Sequence, residues 1–346
     1  MARWAFRAEN LLEAAALRLN LVPVVLAESF FPFIHARALM AATKLGVFEA
    51  LGKDWRTPEE VAEETGTDPV AIRQLMTALT GSGYLRSKRG RFKLTPVARW
   101  ALKRHRQSVR DKILLHYLEW DFVGKLEEYL QTGESLAFHD HMSSDEWKAY
   151  QRGMRATVAP FAEETTSRLK LPKGARSMLD IGGSHGFFSV CFCRRNPGLR
   201  STILELPSAI EHAKPLLDAE AMGDRITYRA GNALTDDLGE GEHDLVLIAS
   251  VIHHFSDEQI RELLPRIRRA LRPGGQLAIF EQLRAEPGKG LSQMGAILDL
   301  YFGLTSRSGT RSEEEIRAFL SDAGFRLRPT MRMRTIRDLA VLSGTA

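Results

Sequence analysis

At 346 residues the chain is longer than one ordinary domain and has room for two or three. Hydrophobic residues make up 44% and charged residues 26%, the balance of a soluble globular protein with a sizeable core. The formal charge of +5 comes from 48 basic against 43 acidic residues, an excess too dilute to argue for a nucleic-acid partner.

Arg3 and Arg7 near the start are interrupted by Glu9 and Glu13, which speaks against a signal peptide. The apolar run "LVPVVLAESFFPFI" is short for a bilayer and contains Glu28 and two prolines, so no membrane span is expected. Both "ENLLEAAALRLNL" and "IHARALMAATKLGVFEAL" place apolar residues at helical spacing, the second ending near Gly52. "TPEEVAEETGTDPVAIRQLMTALTGSGYL" predicts a helix opened by Thr57 and Pro58, a turn at Gly66 and a second helix from Asp68 and Pro69. Two short strands around Arg89 and Gly90 in "YLRSKRGRFKLT" then resemble the wing of a winged helix. That arrangement raises an alternative function, a DNA-binding regulator with a ligand-sensing second domain. Yet the second helix offers only Arg73 and Gln74 to a groove, and packing against a partner subunit fits it better.

From Asp111 to Leu171 the pattern is again helical, with Ser143 and Glu146 spaced as a capping box. His139 and His141 in "FHDHM" have the look of a metal pair, but no carboxylate or cysteine cluster joins them. They are read as a surface loop, and no metal is expected. From "SMLDI" onward strand-like runs alternate with helices: "STILEL", "ITYRAG", "DLVLIAS", "QLAIFEQL" and "DLAVLSG". This is an α/β pattern, a mostly parallel sheet with helices on both faces. The two cysteines, Cys191 and Cys193, stand two apart on one of those helices and point in different directions. A reducing cytoplasm is the expected setting. The Arg-rich stripe of "DEQIRELLPRIRRALRPGG" reads as the solvated face of another helix.

"LDIGGSHG" lies where the first strand of that sheet turns into a helix. Glycines there let backbone approach a ligand, beyond the carboxyl ends of the strands where open sheets bind. A plain tight turn is the bland alternative. The spacing is G-G-x-x-G rather than the dinucleotide G-x-G-x-x-G, and Asp180 would sit badly beside a pyrophosphate. A cofactor without phosphates and with a positive charge fits better. S-adenosylmethionine, with its sulfonium, ammonium, ribose and adenine, has those properties, and Glu205 at the next strand end can take ribose hydroxyls.

Taken in order, "LDIGGSHG", "LELP", "RAGNAL", "VIHHFSDEQ", "LRPGGQLAIFEQ" and "RSEEEIRAFLSDAGF" resemble the S-adenosylmethionine-dependent O-methyltransferases with an N-terminal dimerisation domain. These are the caffeate, hydroxyindole and bacterial polyketide or pigment enzymes. "HARALMAATKLGVFEAL" and "LTPVARWAL" extend the likeness over nearly the whole chain. The resemblance implies three parts: a helical dimerisation and winged-helix-like domain over 1–110, a helical linker lining the acceptor pocket over 111–168, and a Rossmann-like methyltransferase domain over 169–346. It implies a cytoplasmic homodimer that leaves S-adenosylhomocysteine as product and methylates a hydroxyl of an aromatic or polycyclic small molecule. Methylation at carbon or nitrogen stands as the alternative within the same class.

Residue by residue, the resemblance sets Gly182 against the methionine part of the cofactor, Asp180 near its amino end and Glu205 at the ribose, where the family usually has Asp. Asn232 and Ala233 take the adenine side, and Phe255 covers that ring. Gly183, Leu206 and Ser250 belong to the same cofactor site. In "VIHHF" it makes His253 the general base and His254 the substitute for an acidic or amide neighbour. Successive side chains of an extended segment face opposite ways, so only His253 is expected to face the pocket. An imidazole, with an ordinary pKa near 6.5, can take a proton from a hydroxyl at neutral pH. Glu281 matches the family's first carboxylate beside the base, whereas Thr310 in "SGTRSEEE" stands where a second Glu is usual. Glu313, Glu314 and Glu315 read as helix-start charges, Ser312 and Glu315 forming a capping box. For the acceptor the resemblance points to His116, Tyr117, Met154 and "QMGAILDLYFGL", with Met294, Leu298, Tyr301 and Phe302 as an apolar wall and Asp299 as its one charge.

Overall fold

The computed structural model describes residues 8, 10–19, 21, 23–102, 108–284, 292–306 and 308–346. Arg3, Arg7 and Glu9 lie outside them. The chain divides between Tyr117 and Leu118 into two compact units.

The N-terminal unit holds α1 (Leu11–Arg18), α2 (Val24–Lys44), α3 (Val47–Leu51), α4 (Pro58–Thr65), α5 (Pro69–Gly81), β1 (Leu85–Lys88), β2 (Arg91–Leu94) and α6 (Pro96–Leu102). Local chemistry sets the ends. Thr57 and Glu60 close a full capping box at α4, and Gly66 ends that helix in the left-handed conformation. Asp68 accepts the Ala71 N–H at 2.8 Å to start α5. Arg89 and Gly90 both have positive φ, as a two-residue hairpin turn requires, and join β1 to β2. Phe48, Leu51, Val61, Met76, Leu79 and Leu94 fill the core of this unit. Arg73 pairs with Glu59 at 2.6 Å.

The run judged short for a bilayer is the opening of α2, a helix of 21 residues that continues through Pro32. Pro32 lacks one ladder donor, and the apolar sequence beyond it carries the helix on to Lys44. By length and composition α2 could cross a membrane, with a mean hydropathy of 1.4 over its most apolar window. Its early side chains, including Val25, Leu26, Phe30 and Phe33, are exposed in the single chain.

The division point falls within α7 (Arg110–Val123). There follow α8 (Leu126–Thr132), α9 (Ser144–Arg168), β3 (Ser177–Ile181), α10 (Phe187–Arg195), β4 (Arg200–Glu205), α11 (Pro207–Asp218), β5 (Ile226–Ala230) and β6 (His243–Ala249). The chain ends with α12 (Asp257–Ala270), β7 (Leu271–Gln282), α13 (Gln293–Thr305), α14 (Glu313–Asp322), β8 (Arg326–Leu327), β9 (Met331–Arg332) and β10 (Leu339–Thr345). The sheet runs β5-β4-β3-β6-β7-β10-β8, with β9 beside β10. Its first five members are parallel, and β10 runs antiparallel to β7, β8 and β9. β8 and β9, two residues each, are too short to leave a periodic signal in sequence.

Alternation along the strands explains the double covering. Leu179, Ile181, Val246, Ile248, Leu277 and Ile279 pack on one side with Ile260, Leu264 and Ile267 of α12 and Phe319 and Leu320 of α14. Met178, Leu245, Leu247, Ala278 and Phe280 pack on the other with Val158 and Ala162 of α9 and Phe188 and Phe192 of α10. The chain leaves β3 for β4 on one side and later returns to β6 on the other. That reversal opens a crevice at the carboxyl ends of β3 and β6, where ligands of such sheets bind.

Candidate active site

A cavity of about 1000 Å³ lies at that reversal point. Asp180, Gly182, Gly183, Glu205, Leu206, Asn232, Ala233, Ser250 and Phe255 all line it. The nine positions assigned to the cofactor from sequence therefore come together in one place.

The turn after β3 is built for close approach. Gly182 has φ +65°, and a Cβ added there would stand 2.8 Å from Val251 Cγ2. At Gly183 an added Cβ would stand 2.6 Å from the carboxyl carbon of Asp180. Ser184 follows with φ +50° and is pinned from three sides. Its N–H donates to Glu205 Oε2 at 2.9 Å, its carbonyl accepts from the Tyr228 hydroxyl at 2.7 Å, and its hydroxyl bonds Gln151 of α9.

Asp180 is fully buried at the end of β3. Ser189 donates to its Oδ2 at 2.6 Å, while Oδ1 has no partner among the described residues. Burial pushes its pKa up to about 7, against the Ser189 hydrogen bond and helped by the charge of Glu205. The Glu205 carboxyl is likewise raised by burial and lowered by the N–H groups of Leu206 and Ser184. An unpartnered buried carboxylate oxygen, a second carboxylate and a glycine bend fit a cationic, phosphate-free nucleoside.

In the loop after β5, Asn232 Oδ1 accepts the Leu234 N–H at 3.0 Å. Arg266 of α12 donates to the carbonyls of Ala233 at 2.9 Å and Leu234 at 2.7 Å, and also to that of Asp236. At least this arginine of the stripe read as solvated is instead a brace, because three otherwise open loop carbonyls lie within its reach.

Beyond β6 the chain does not stay extended. Ser250 takes φ +54°, and Ile252–His254 wind into one 3-10 turn. The two imidazoles are therefore neighbours, with ring centres 4.2 Å apart, rather than opposed across a strand. His253 is buried, and its Nδ1 lies 3.0 Å from Glu281 Oε1 near the end of β7. Oε1 also accepts the Gln282 N–H at 3.0 Å. A carboxylate can only accept, so Nδ1 carries the proton in this contact, which leaves Nε2 as the basic nitrogen of the ring. His254, not His253, is among the cavity-lining residues.

The other wall comes from residues the sequence reading passed over. Trp147, Tyr150 and Gln151 share one face of α9 and line the cavity, an i, i+3, i+4 spacing visible in "WKAYQ". His139 also lines it, its ring 5.0 Å from His254 and 5.1 Å from Tyr150. Its placement in a surface loop is thus corrected, since aromatic rings pack around it, while His141 is exposed. Burial and the nearby His253 hold the pKa of His139 down at about 4.

Of the acceptor residues, Met154 lines the cavity, and the end of α13 adds Thr305, followed by Ser308. Phe302 packs on His253 with ring centres 4.5 Å apart, and Asp299 accepts the Thr310 hydroxyl. Met294 is exposed and Leu298 half-buried on α13, outside the lining. His116 lies on α7 in the N-terminal unit.

Comparison with known proteins agrees with this geometry. The O-methyltransferase domain model matches residues 120–326, and the O-methyltransferase dimerisation domain model residues 27–104. O-demethylpuromycin-O-methyltransferase of Streptomyces alboniger is 27% identical over 323 residues, 88% of this chain and 83% of the relative. The N,N-dimethyltransferase OxyT of Streptomyces rimosus is 27% identical over 332 residues, 90% and 94% of the two chains. Human N-acetylserotonin methyltransferase, solved in complex with S-adenosylmethionine, shares the fold with a TM-score of 0.81 at 19% identity, over 93% of this chain and 96% of that one. The chain belongs to the S-adenosylmethionine-dependent O-methyltransferase family that carries an N-terminal dimerisation domain.

Proposed function

We propose that the protein methylates a hydroxyl group of an aromatic or polyketide-like small molecule, with His253 taking the hydroxyl proton and Glu281 orienting His253. The observation that carries this reading is the buried His253–Glu281 pair, 3.0 Å apart, with the His253 ring packed on His254, which lines the cavity. S-adenosylmethionine, when bound, supplies a methyl group made electrophilic by its sulfonium. Asp180 Oδ1 would receive the amino end, Glu205 the ribose, and Asn232, Ala233 and Phe255 the adenine. Trp147, Tyr150, Met154 and His139 offer a flat, largely apolar wall to an aromatic ring, which fixes the acceptor oxygen in line with the methyl. A phenol has a pKa near 10 (Tyr serves as the model), so a neutral imidazole nitrogen beside it lowers the barrier by removing the proton as the bond forms.

A labelled-methyl screen of phenolic and polyketide-like compounds, resolved by mass, identifies an acceptor. With it, His253→Gln is expected to cut kcat by at least about a hundredfold while cofactor affinity holds. Normal turnover in that variant would reject His253 as base. A second reading has its own observation: His254 faces the cavity directly. It predicts the loss in His254→Gln instead. A relative named for dimethylation at nitrogen keeps amine acceptors in the screen.

The homodimer belongs to the same reading. A second copy would cover the apolar side chains that α2 exposes, within the segment matched by the dimerisation model. Sedimentation of the full chain as a monomer would reject it. A cytoplasmic setting suits the buried Cys191 and Cys193, neither of which is in a disulfide.

A further inference from the structure

The 3-10 turn that carries both imidazoles is only three residues long and begins two residues after Ser250, which has positive φ. Its own backbone supplies two hydrogen bonds, His254 N–H to Val251 O at 3.0 Å and Phe255 N–H to Ile252 O at 3.1 Å. Something else must fix its position. Arg311, buried just before α14, reaches it with every arm of its guanidinium. Nη1 donates to the Ile252 carbonyl at 2.9 Å, Nη2 to the Phe255 carbonyl at 2.6 Å, and Nε to Asp257 Oδ1 at 3.0 Å. The two carbonyls belong to the residues immediately before His253 and immediately after His254.

The backbone of Arg311 is tied to the other half of the pair. It forms a parallel bridge to Leu283, and its carbonyl accepts the Arg284 N–H at 2.8 Å, two or three residues beyond Glu281. Arg284 in turn donates to Glu315 Oε1 at 2.5 Å, and Glu315 closes the capping box of α14. One residue thus spans from the end of the strand that bears Glu281 to the turn that bears His253. A planar fork with five donors can hold two carbonyls and a carboxylate together; an ammonium cannot.

We infer that Arg311 is a positioning residue that sets His253 against Glu281 and holds the turn that presents His254 to the cavity. This rests on the reading of His253 as base, because a displacement of about 1 Å at a reacting group can cost on the order of a hundredfold in rate.

The test uses the full chain carrying Arg311→Lys, which keeps the charge and loses the fork. A second variant, Asp257→Asn, loosens the clamp at its half-exposed end where folding is least at risk. Imidazole 15N–1H correlation spectra report the tautomer of His253, assigned as the signal lost in His253→Gln. The wild type is expected to show one Nδ1-protonated form, and each clamp variant a mixture of tautomers, with S-adenosylmethionine affinity by calorimetry changed by less than about twofold. An unchanged His253 spectrum in both variants overturns the inference. So does a loss of cofactor affinity that keeps pace with every spectral change. With an acceptor from the screen, kcat falls at least about tenfold in Arg311→Lys, and Arg311→Lys with His253→Gln is no slower than His253→Gln alone. Additive losses in that double variant would mean Arg311 acts elsewhere. Normal turnover in His253→Gln would sink the base reading by itself, and the spectra would still decide the clamp.

Discussion

Glu281 accepts from His253 Nδ1 at 3.0 Å through one carboxylate oxygen and keeps the other, Oε2, buried without a hydrogen-bond partner among the described residues. A group held so asymmetrically orients its neighbour through one bond. Thr310, at the position where the resemblance implied a second carboxylate, turns its hydroxyl to Asp299. Glu281→Gln is expected to keep the shape and reverse the polarity, since an amide N–H can face Nδ1 and favour the wrong tautomer. Turnover should drop by about a hundredfold or more, with cofactor affinity unchanged. Turnover within about threefold of wild type would show that the pair has no orienting role.

How far the sequence carried depends on where each part of the site comes from. The cofactor side is made of strand ends and their turns, so Asp180, Glu205, Asn232 and Ser250 sit where local pattern places them, and all line one cavity. The side proposed for the acceptor is tertiary. Trp147 and Tyr150 reach it only because α9 packs across α10 and α11, and His139 because rings from α9 and the 3-10 turn surround it. The His253 and His254 geometry escaped for a single reason. Alternation presumes extended backbone, and the positive φ at Ser250 ends that extension before the histidines begin.

If Asp180 receives the amino end of the cofactor as proposed, cofactor binding is expected to depend on pH. With its pKa raised to about 7 by burial, the free protein holds a proton there below neutrality. A cationic amino group beside Oδ1 favours the carboxylate, so binding below pH 7 must expel that proton. The dissociation constant should therefore rise about fivefold as pH falls from 7 to 6 and approach tenfold per pH unit below that. Calorimetry in two buffers of different ionisation enthalpy would count the released proton. In Asp180→Asn only the ligand's own amine titration should remain; an equally steep profile there would remove Asp180 from the site.

His185 lines the same cavity and is held neutral by burial and by Arg155, its pKa lowered to about 3. Phe187 N–H donates to its Nδ1 at 3.2 Å, a bond only the deprotonated nitrogen can accept. An unfolded chain would take up that proton near pH 6.5, the folded one only near 3. Above 6.5 neither state is protonated, and the group has no effect on the balance. As pH falls below 6.5 the unfolded state alone gains the proton, so stability is lost by about 1.4 kcal/mol per pH unit, and the loss is complete once the folded value is passed. His139, lowered to about 4, adds a second contribution of the same sign, while Asp180 opposes them by holding its proton in the folded state. The net profile mixes these terms, and a difference isolates one. Urea titrations of wild type and His185→Asn from pH 7.5 down to 5 should show the variant gaining on wild type steadily below 6.5. A gap between the two that stays constant across that range would mean His185 does not carry the buried, neutral character its surroundings impose.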